Sequence, residues 1–348
     1  MKILVTGNMG YVGPSVVNHL RACYPGATLV GFDIGYFGNC ITSLEVLPEC
    51  RVDVQYFGDV RQFPQEVLKG VDAIVHLAGI SNDPIGNRFE EVTLDINYRS
   101  SVDLAEKAKE VGVKSFVFAS SCSMYGAADD SARTEESPLN PLTAYAKSKV
   151  LTEKGLEPLA SERFKVTCLR FSTACGWSDR LRLDLVLNDF VACAVASKKI
   201  TILSDGTPWR PLINVRDMAR AIDWAIGRKV NDGREFLAVN IGSDEWNYQV
   251  KDLAEAVAKL IPGIDVSINK DAQPDKRSYR VNFNLFKTLA PNYQPAVSLI
   301  ESIMELKAGL EAIGFKDGDF RNSRYMRLKI LTELQEKGLM NQKLQWIK

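Results

Sequence analysis

The stretch KILVTGNMGYVGPSVVNHLRAC, residues 2–23, decides the fold of this chain. Its apolar start predicts a buried strand, and GPSVVNHLRAC predicts a helix with apolar residues on one face. Gly7, Gly10 and Gly13 lie between the two. A glycine-rich turn there lets the backbone approach a pyrophosphate, and the free N–H groups at the helix start favour an anion. The stretch therefore predicts a dinucleotide-binding turn.

Two carboxylates follow at later predicted strand ends. Asp33 ends the second strand, ATLVGFD, twenty residues after Gly13. A carboxylate there accepts hydrogen bonds from the adenosine ribose and repels a 2′-phosphate, which favours NAD over NADP as the cofactor. Asp59, in GDV after the third strand, is a weaker candidate, because a solvated loop carboxylate explains it as well.

Short apolar runs alternate with helical stretches through the first half of the chain. Continuous apolar strands are typical of parallel sheets that helices cover on both faces. The pattern predicts an α/β fold with a Rossmann-type doubly wound parallel sheet and a smaller C-terminal mixed α/β lobe that binds the substrate. We expect residues 1–172 to form the NAD-binding domain, with 211–242 rejoining it. Residues 173–348 are expected to form mainly the substrate-binding lobe and C-terminal helices.

Two segments of the second half carry specific expectations. RLRLDLVLNDFVACAVASKK, residues 180–199, is predicted to be helical. The stretch 324–348 is predicted to be amphipathic, and its apolar stripe is expected to pack in the core or in a dimer.

Composition excludes several classes of protein. The 43 Lys and Arg residues balance the 43 Asp and Glu residues, so we expect neither nucleic-acid nor membrane binding. The seven cysteines lack CxxC spacing and there are two histidines, which predicts reduced thiols in a cytoplasmic protein without a metal site. No apolar run reaches about 18 residues, and MKILVTG leads directly into a strand, so neither a membrane span nor a signal peptide is expected.

The chemical site is expected after the fifth strand, where FASSCSMYG is followed by YAKSK. Tyr145 and Lys149 share one helical face at i,i+4 spacing. An ammonium beside the phenol favours the phenolate, so Lys149 is expected to lower the pKa of Tyr145. With Ser121 on the same substrate hydroxyl, Tyr145 then removes a carbinol proton. The structural alternatives are a solvated helix pair and a strand-end cap.

With these motifs in this order, the chain resembles the extended short-chain dehydrogenase/reductase superfamily, and within it the NAD-dependent epimerase/dehydratase family. The matching stretches are TGNMGYVG, GDV, IVHLAG, DINYRSSVDLAEKA, FASSCSMYG, YAKSK, LRFSTACG and RPLINVRDMARAI. The resemblance implies NAD in the N-terminal lobe and a nucleotide-activated sugar between the lobes. It implies Tyr145 as the base, Lys149 on the nicotinamide ribose, and Ser121, four residues before Tyr125, on a sugar hydroxyl.

The resemblance also implies binding residues that the motifs alone do not. The cofactor-binding set is Gly7, Met9, Gly10, Tyr11, Val12, Gly13, Asp33, Asp59, Val60, Leu77, Ala78, Gly79, Asn97, Tyr145, Lys149 and Phe171. The substrate-binding set is Ser81, Ser121, Cys122, Ser123, Thr173, Arg182, Asn188, Arg210 and Arg277. A homodimer that pairs through helices near 95–111 and 142–158 is implied as well.

Within the substrate set, Arg210 and Arg277 match arginines that look like diphosphate ligands, and surface arginines are the alternative. Arg182 and Asn188 are placed on one presumed helix near the nucleotide. Thr173 stands where many epimerases have a sugar-contacting Asn, so the sugar stays open. SDRLRLDLVLNDF and PDKRSY are similar to a bacterial subgroup of epimerases and C4-oxidising dehydrogenases that act on hexoses or heptoses.

Three reactions share this apparatus: C4 epimerisation, net oxidation or reduction, and 4,6-dehydration. Related dehydratases carry an acid directly after the catalytic Ser or Thr, where this chain has Cys122 and Ser123. The hypothesis is an NAD-dependent nucleotide-sugar 4-epimerase that works through a transient 4-keto intermediate. A net C4 dehydrogenase or reductase is the alternative, and a dehydratase or a non-catalytic NAD-sensing protein is less favoured.

Overall fold

The computed structural model describes residues 1–43, 45–127, 131–269 and 277–347. Its strands are β1 Lys2–Thr6, β2 Thr28–Asp33, β3 Val54–Phe57, β4 Ala73–His76, β5 Ser115–Ser121, β6 Lys165–Phe171, β7 Thr173–Cys175, β8 Lys199–Ile202, β9 Trp209–Asn214, β10 Phe236–Ile241, β11 Asn247–Gln249 and β12 Asp265–Ile268. Its α-helices are α1 Gly13–Cys23, α2 Asp83–Arg88, α3 Glu90–Leu94, α4 Ser100–Glu110, α5 Ala144–Leu156, α6 Val186–Ser197, α7 Val215–Gly227, α8 Val250–Leu260, α9 Asn284–Leu289, α10 Leu299–Ala312 and α11 Arg327–Glu336.

Seven strands form one parallel sheet in the order β10-β6-β5-β4-β1-β2-β3. This confirms the predicted Rossmann-type α/β fold. The chain runs outward from β1 to β3 and then returns to β4 on the other side of β1. Loops diverge from the carboxyl ends of β1 and β4, and such a switch point is where doubly wound sheets bind ligands. β10, from the 211–242 stretch, is the outer strand beside β6.

The central strands are apolar on both faces because helices cover both. Ile3 and Val5 of β1 lie in a core cluster with residues of α1 and α7, including Ile222. Leu4, between them, lies in a second cluster with Leu104 of α4. Alternate residues of a strand point to opposite faces, so one short strand contributes to both cores.

The second half adds a three-stranded sheet, β11-β9-β7, and the pair β12-β8. The predicted helix over 180–199 is wrong in its first part, because α6 begins only at Val186. Leu181 and Leu183 are fully buried. Arg180, before the first leucine, and Arg182, between the two, form ion pairs. The segment 180–185 consists of turn, bend and irregular chain, and its period-two alternation of apolar and charged residues does not fit a helix, which the sequence interpretation overlooked.

Within the described part of this stretch, residues 324–347, the helix is α11. Leu331 is fully buried in the core cluster that also contains Leu4 of β1, so this helix packs on the first lobe. Met340 and Leu344, beyond the helix, are buried in the same cluster.

All seven cysteines are free thiols, and five of them are buried. The five buried thiols pack within the protein interior. In the part of the chain that the structure describes, no helix has both the length and the apolar character needed to cross a membrane.

Candidate active site

A cavity of about 770 Å³ lies at the carboxyl ends of the parallel strands. It is lined by the glycine-rich turn, by the ends of β2, β4, β5 and β6, and by residues of the second lobe. Most of the predicted site residues line this one cavity. The exceptions are Met9, Asn97, Cys122 and Asn188.

The glycine-rich turn forms a cradle that side chains would fill. A Cβ on Gly13 would lie 2.2 Å from the carbonyl oxygen of Asn8. A Cβ on Gly7, which has a φ of +74°, would lie 2.5 Å from the amide nitrogen of Ala78. The turn leads directly into α1 with Pro14 in its first turn, so free backbone N–H groups face the cavity. These residues fit the pyrophosphate of a dinucleotide.

Asp33 lies at the end of β2 and lines the cavity. Its carboxylate accepts hydrogen bonds from the amides of Met9 at 3.0 Å and Gly35 at 2.7 Å. Burial raises the pKa of this carboxyl, and the two amides oppose that rise. Met9 therefore acts through its backbone on Asp33 and does not line the cavity.

Asp59 lines the cavity and is held by an arginine, with 16% of its side chain exposed. Arg61 donates to both of its oxygens, from Nε at 2.9 and 3.0 Å. The same arginine donates from Nη1 to the carbonyl oxygen of Lys343 at 2.7 Å. Asp59 thus links the cavity wall to the C-terminal part of the chain.

Asn97 acts through the loop that follows β4. It lies in a π-helical turn, Asp95–Arg99, between α3 and α4. Its side chain accepts from the amide of Ile80 at 2.7 Å and donates to Ser148 of α5 at 3.0 Å. The residues that line the cavity here are Leu77, Ala78 and Gly79. Asn97 fixes this loop against α5 and does not itself line the cavity.

The three predicted catalytic side chains converge on the cavity. Ser121 ends β5, and α5 begins at Ala144, so that Tyr145 and Lys149 lie on its first two turns. Ser121 Oγ donates to Ser123 Oγ at 3.0 Å. Lys149 Nζ donates to the carbonyl oxygen of Ala119 at 2.6 Å.

The expected lowering of the Tyr145 pKa is not found in this geometry. Burial raises the pKa of Tyr145 to about 12, and a hydrogen bond with Ser121 opposes the rise. Burial also lowers the pKa of Lys149 to about 8. The Lys149 ammonium lies 4.4 Å from the centre of the Phe118 ring and 5.5 Å from that of Tyr145. Loss of water from the phenol therefore outweighs the Ser121 hydrogen bond and the charge of Arg182, which both lower its pKa.

Cys122 does not face the cavity, contrary to the prediction. Its thiol is fully buried and donates to the carbonyl oxygen of Arg170 at 3.0 Å. Burial raises the pKa of this thiol well above its ordinary value. Ser123 does line the cavity, so one residue of the neutral pair remains available to a substrate.

Arg182 and Asn188 do not share a helix, which corrects a second expectation. Arg182 lines the cavity, donates to both oxygens of Asp184 at 2.7 and 3.0 Å, and donates to Ser81 Oγ at 2.9 Å. Asn188, on α6, is fully buried and donates to the Tyr11 hydroxyl at 3.0 Å. Asn188 thus supports the glycine-rich turn from behind.

The remaining predicted substrate residues, Thr173, Arg210 and Arg277, line the cavity. Part of the PDKRSY motif, residues 274–276, lies outside the described residues. Arg277 forms an ion pair with Asp83 at 2.5 Å. Asp83 also accepts a hydrogen bond from Thr143 at 2.7 Å.

Asp83 is a cavity residue that the sequence interpretation missed. It is the first residue of α2, lines the cavity, and raises the pKa of Tyr145 through its charge. An Asn followed by Asp-Pro marks a capped helix start, and the Asn82 side chain accepts from the amide of Ile85 at 2.8 Å. That pattern was the available signal. The cavity therefore contains an acid, although not directly after Ser121.

One group of possible metal ligands occurs within the described ranges, formed by His19, Cys23 and Asp223. It lies on α1 and α7, and none of its members lines the cavity.

Comparisons with known proteins agree with this geometry. Residues 3–242 match the model of the family described as NAD dependent epimerase/dehydratase family. The chain is 30% identical over 255 residues to a Bacillus subtilis (strain 168) protein named as the uncharacterized UDP-glucose epimerase YtcB, covering 70% of this chain and 78% of that protein. It is 26% identical over 285 residues to a UDP-glucose 4-epimerase of Lactobacillus helveticus, covering 76% and 83%.

A solved structure shares the fold at lower identity. It is described as TunA, an NAD dependent NDP-hexosamine 5,6-dehydratase, and superposes with a TM-score of 0.77 at 23% identity. The match covers 91% of this chain and 99% of that one. One fold therefore supports both epimerases and dehydratases, so the reaction has to be argued from the side chains.

Proposed function

This chain belongs to the NAD dependent epimerase/dehydratase family, and we propose that within it the protein is a nucleotide-sugar 4-epimerase that works through a transient 4-keto sugar. NAD is its cofactor. The observation that carries the proposal is the convergence of Ser121, Tyr145 and Lys149 on the cavity that the glycine-rich turn also lines. A proton acceptor and the cofactor would then both lie beside the same carbinol of the substrate.

When bound, NAD would supply hydride chemistry at C4, and the glycine-rich turn and Asp33 are the residues that would hold it. The Ser121 hydroxyl binds the C4 hydroxyl and orients it toward Tyr145. Tyr145 takes the proton from that hydroxyl in its phenolate form. The phenol is neutral in this geometry, so base catalysis requires a cation to approach it when ligands fill the cavity. Lys149, 5.5 Å from the ring centre, and Arg182, whose charge already lowers the pKa of Tyr145, are cations of the chain in position to do so.

Two observations favour epimerisation over dehydration. Cys122 is turned into the core and Ser123 carries no charge, so neither supplies an acid directly after Ser121. Asp83, the cavity acid whose charge acts on Tyr145, is held by Arg277 and Thr143. Relatives of this chain are named UDP-glucose 4-epimerases, which supports C4 as the reacting carbon.

We propose that the substrate is a nucleoside-diphosphate sugar, with Arg210 and Arg277 on its diphosphate. Both line the cavity, and a guanidinium suits phosphate oxygens. The predicted dimer through the helices near 95–111 and 142–158 remains part of the proposal. Leu151 of α5, 37% exposed, supports it as an apolar contact on that surface.

The experiment is product analysis in deuterium oxide with UDP-glucose, UDP-N-acetylglucosamine and UDP-glucuronate. We expect a C4 epimer of at least one sugar, with unchanged mass, no deuterium at C4, and no net NADH. The absence of deuterium follows because the hydride returns from the cofactor and not from solvent. Loss of water from the sugar would indicate a dehydratase, and stoichiometric NADH would indicate a net dehydrogenase. Either outcome contradicts the proposal.

A further inference from the structure

Arg327 is a buried cation in the wall of the cavity. It is the first residue of α11, is 3% exposed, and lines the same cavity as the glycine-rich turn. Its Nη2 donates to the carbonyl oxygen of Arg180 at 2.8 Å, and its Nη1 is buried without a hydrogen-bond partner. Among the described residues, no carboxylate forms an ion pair with it.

The surroundings of Arg327 increase the cost of its charge. The nearby cations Arg180 and Arg182 have carboxylate partners of their own, Glu49 and Asp184. Burial and the charges of these two arginines lower the pKa of Arg327. The charge of Asp184 raises the pKa of Arg327, but this carboxylate already accepts hydrogen bonds from two nitrogens of Arg182. A positive charge at the start of a helix is also unfavourable with respect to the helix dipole.

A buried charge without a partner is costly, so such a group indicates a missing counter-ion. We propose that Arg327 binds the pyrophosphate of NAD, which makes the 324–347 segment part of the cofactor site. The matched family region ends at residue 242, so this contribution lies outside it. The inference depends on NAD as the cofactor and not on the C4 reaction.

The position of Arg327 favours contact with the phosphates of the cofactor over contact with those of the substrate. Its guanidinium carbon lies 4.6 Å from the centre of the Phe37 ring. Phe37 belongs to the loop after β2, four residues beyond Asp33, on the adenosine side of the switch point. The charge of Arg327 also acts on Tyr11 in the glycine-rich turn. Ser121 and Tyr145 come from β5 and α5, on the other side of β1 and β4.

The rest of the 324–347 segment holds Arg327 at this place. The Tyr36 hydroxyl donates to the carbonyl oxygen of Leu344. The Trp346 indole donates to the carbonyl oxygen of Ile34 at 2.7 Å. Both partners in the first lobe belong to the loop that contains Phe37. The guanidinium is therefore fixed before the ligand arrives, which lowers the entropy cost of binding.

The test compares Arg327→Met with Lys329→Met, which removes an exposed charge two residues away that does not line the cavity. Purified protein loaded with NADH is chased with excess NAD, and the release rate is followed by nicotinamide fluorescence. Affinities for ADP-ribose and UDP are measured by calorimetry. We expect Arg327→Met to release NADH about 10 to 100 times faster and to weaken ADP-ribose equally, because one charge-assisted contact is lost. Lys329→Met should change the rate of NADH release and the affinity for ADP-ribose by less than about threefold. The affinity of Arg327→Met for UDP should also change by less than about threefold.

Three outcomes would overturn the inference. The first is a release rate for Arg327→Met equal to that of the wild type. The second is weaker UDP binding with unchanged NADH release, which would place the charge on the substrate's diphosphate. The third is equal weakening of NADH and UDP together with a lower Tm without ligand, which would make Arg327 structural. If the methionine variant does not fold, Arg327→Lys gives the same comparison, with an intermediate release rate expected and an unchanged one counting against the inference.

Discussion

The Lys149 ammonium lies 5.5 Å from the centre of the Tyr145 ring and donates its hydrogen bond to the carbonyl oxygen of Ala119. It is 6% exposed, so its charge has lost most of its water. Burial lowers its pKa to about 8, and Glu153 only partly opposes this. The protein thus keeps a costly cation beside the phenol, as is common where chemistry requires it.

Lys149→Met should therefore stabilise the protein at pH 7 while abolishing turnover. The folded lysine binds its proton less tightly than the unfolded one, whose pKa is about 10.5. The penalty for burying the charge is present in full below pH 8, and the wild type regains stability as pH rises from 8 to 10.5. We expect a gain on the order of 1–2 kcal/mol at pH 7 that shrinks toward pH 10.5, measured by urea unfolding.

The control for this prediction is Lys147→Met on the same helix. Lys147 is exposed and its nearest carboxylate, on Glu90, is 3.9 Å away, so its removal should change unfolding free energy by less than about 0.5 kcal/mol. A Lys149→Met protein that is less stable at pH 7 would show that the contacts with Ala119 outweigh the desolvation of the charge.

Tyr145→Phe should lose turnover and keep NAD. The variant removes the proton acceptor without changing the glycine-rich turn that holds the cofactor. We expect a rate lower by about 10² to 10⁴, with bound NAD, measured by absorbance after gel filtration, unchanged. Tyr56→Phe, at a 43% exposed tyrosine of β3, is the matched control. Comparable activity of Tyr145→Phe and wild type would rule out Tyr145 as the base.

The buried pair Glu153–Arg170 fixes the end of β5 from behind. Arg170 Nη2 lies 2.7 Å from Glu153, and Ser120 Oγ donates to the same carboxylate at 2.5 Å. Glu153→Gln leaves the guanidinium buried without its counter-charge, so we expect destabilisation of about 3–5 kcal/mol in urea unfolding. Glu333→Gln, in an exposed pair with Lys337, should change the same quantity by less than about 0.5 kcal/mol. Similar small changes in both variants would refute a structural role for the buried pair.

The features that were predicted correctly are those that depend on a local pattern in the sequence. α1 has the predicted bounds, because its amphipathic stretch from a glycine to a cysteine defines its own ends. The 180–185 segment was mistaken for helix because its period-two alternation was not weighed against the helical run that follows. The pKa of Tyr145 was misjudged because burial depends on which elements cover α5, which no local pattern states.

Contacts between residues that are far apart in the chain could not be predicted from the sequence either. Asn97 contacts Ile80 and Ser148, which are 17 and 51 residues away. Arg327 reaches the cavity only because α11 packs on the first lobe. No motif marks such contacts, since each depends on the packing of two distant segments.

Gly13→Ala should impair both folding and cofactor retention. A Cβ there would lie 2.2 Å from the Asn8 carbonyl oxygen, a backbone atom that cannot move without opening the turn. We expect loss of NAD after gel filtration and a lower Tm. Gly227→Ala, where a Cβ meets nothing within 4 Å, is the control and should retain both properties. Full NAD retention by Gly13→Ala would contradict the assignment of this turn to the pyrophosphate.

Trp346→Ala tests whether the 324–347 segment controls access to the cofactor. The indole is 40% exposed, so its removal should cost little global stability. It nevertheless anchors the segment, through its hydrogen bond to Ile34 and its ring contact with Tyr36 at 6.1 Å. Losing that anchor makes local opening easier, and we expect NADH release to become about 3 to 10 times faster at unchanged Tm.

A double variant shows whether Trp346 acts through Arg327. If the anchor matters because it positions the guanidinium, Trp346→Ala should add little to the release rate of Arg327→Met, since contacts that act as one unit are not additive. Ile347→Ala, at a neighbouring residue that is 55% exposed, controls for loss of apolar surface at this end of the segment. Fully additive effects of the two substitutions would mean that Trp346 holds the cofactor in by a route independent of Arg327, and that the segment contributes to retention at two separate points.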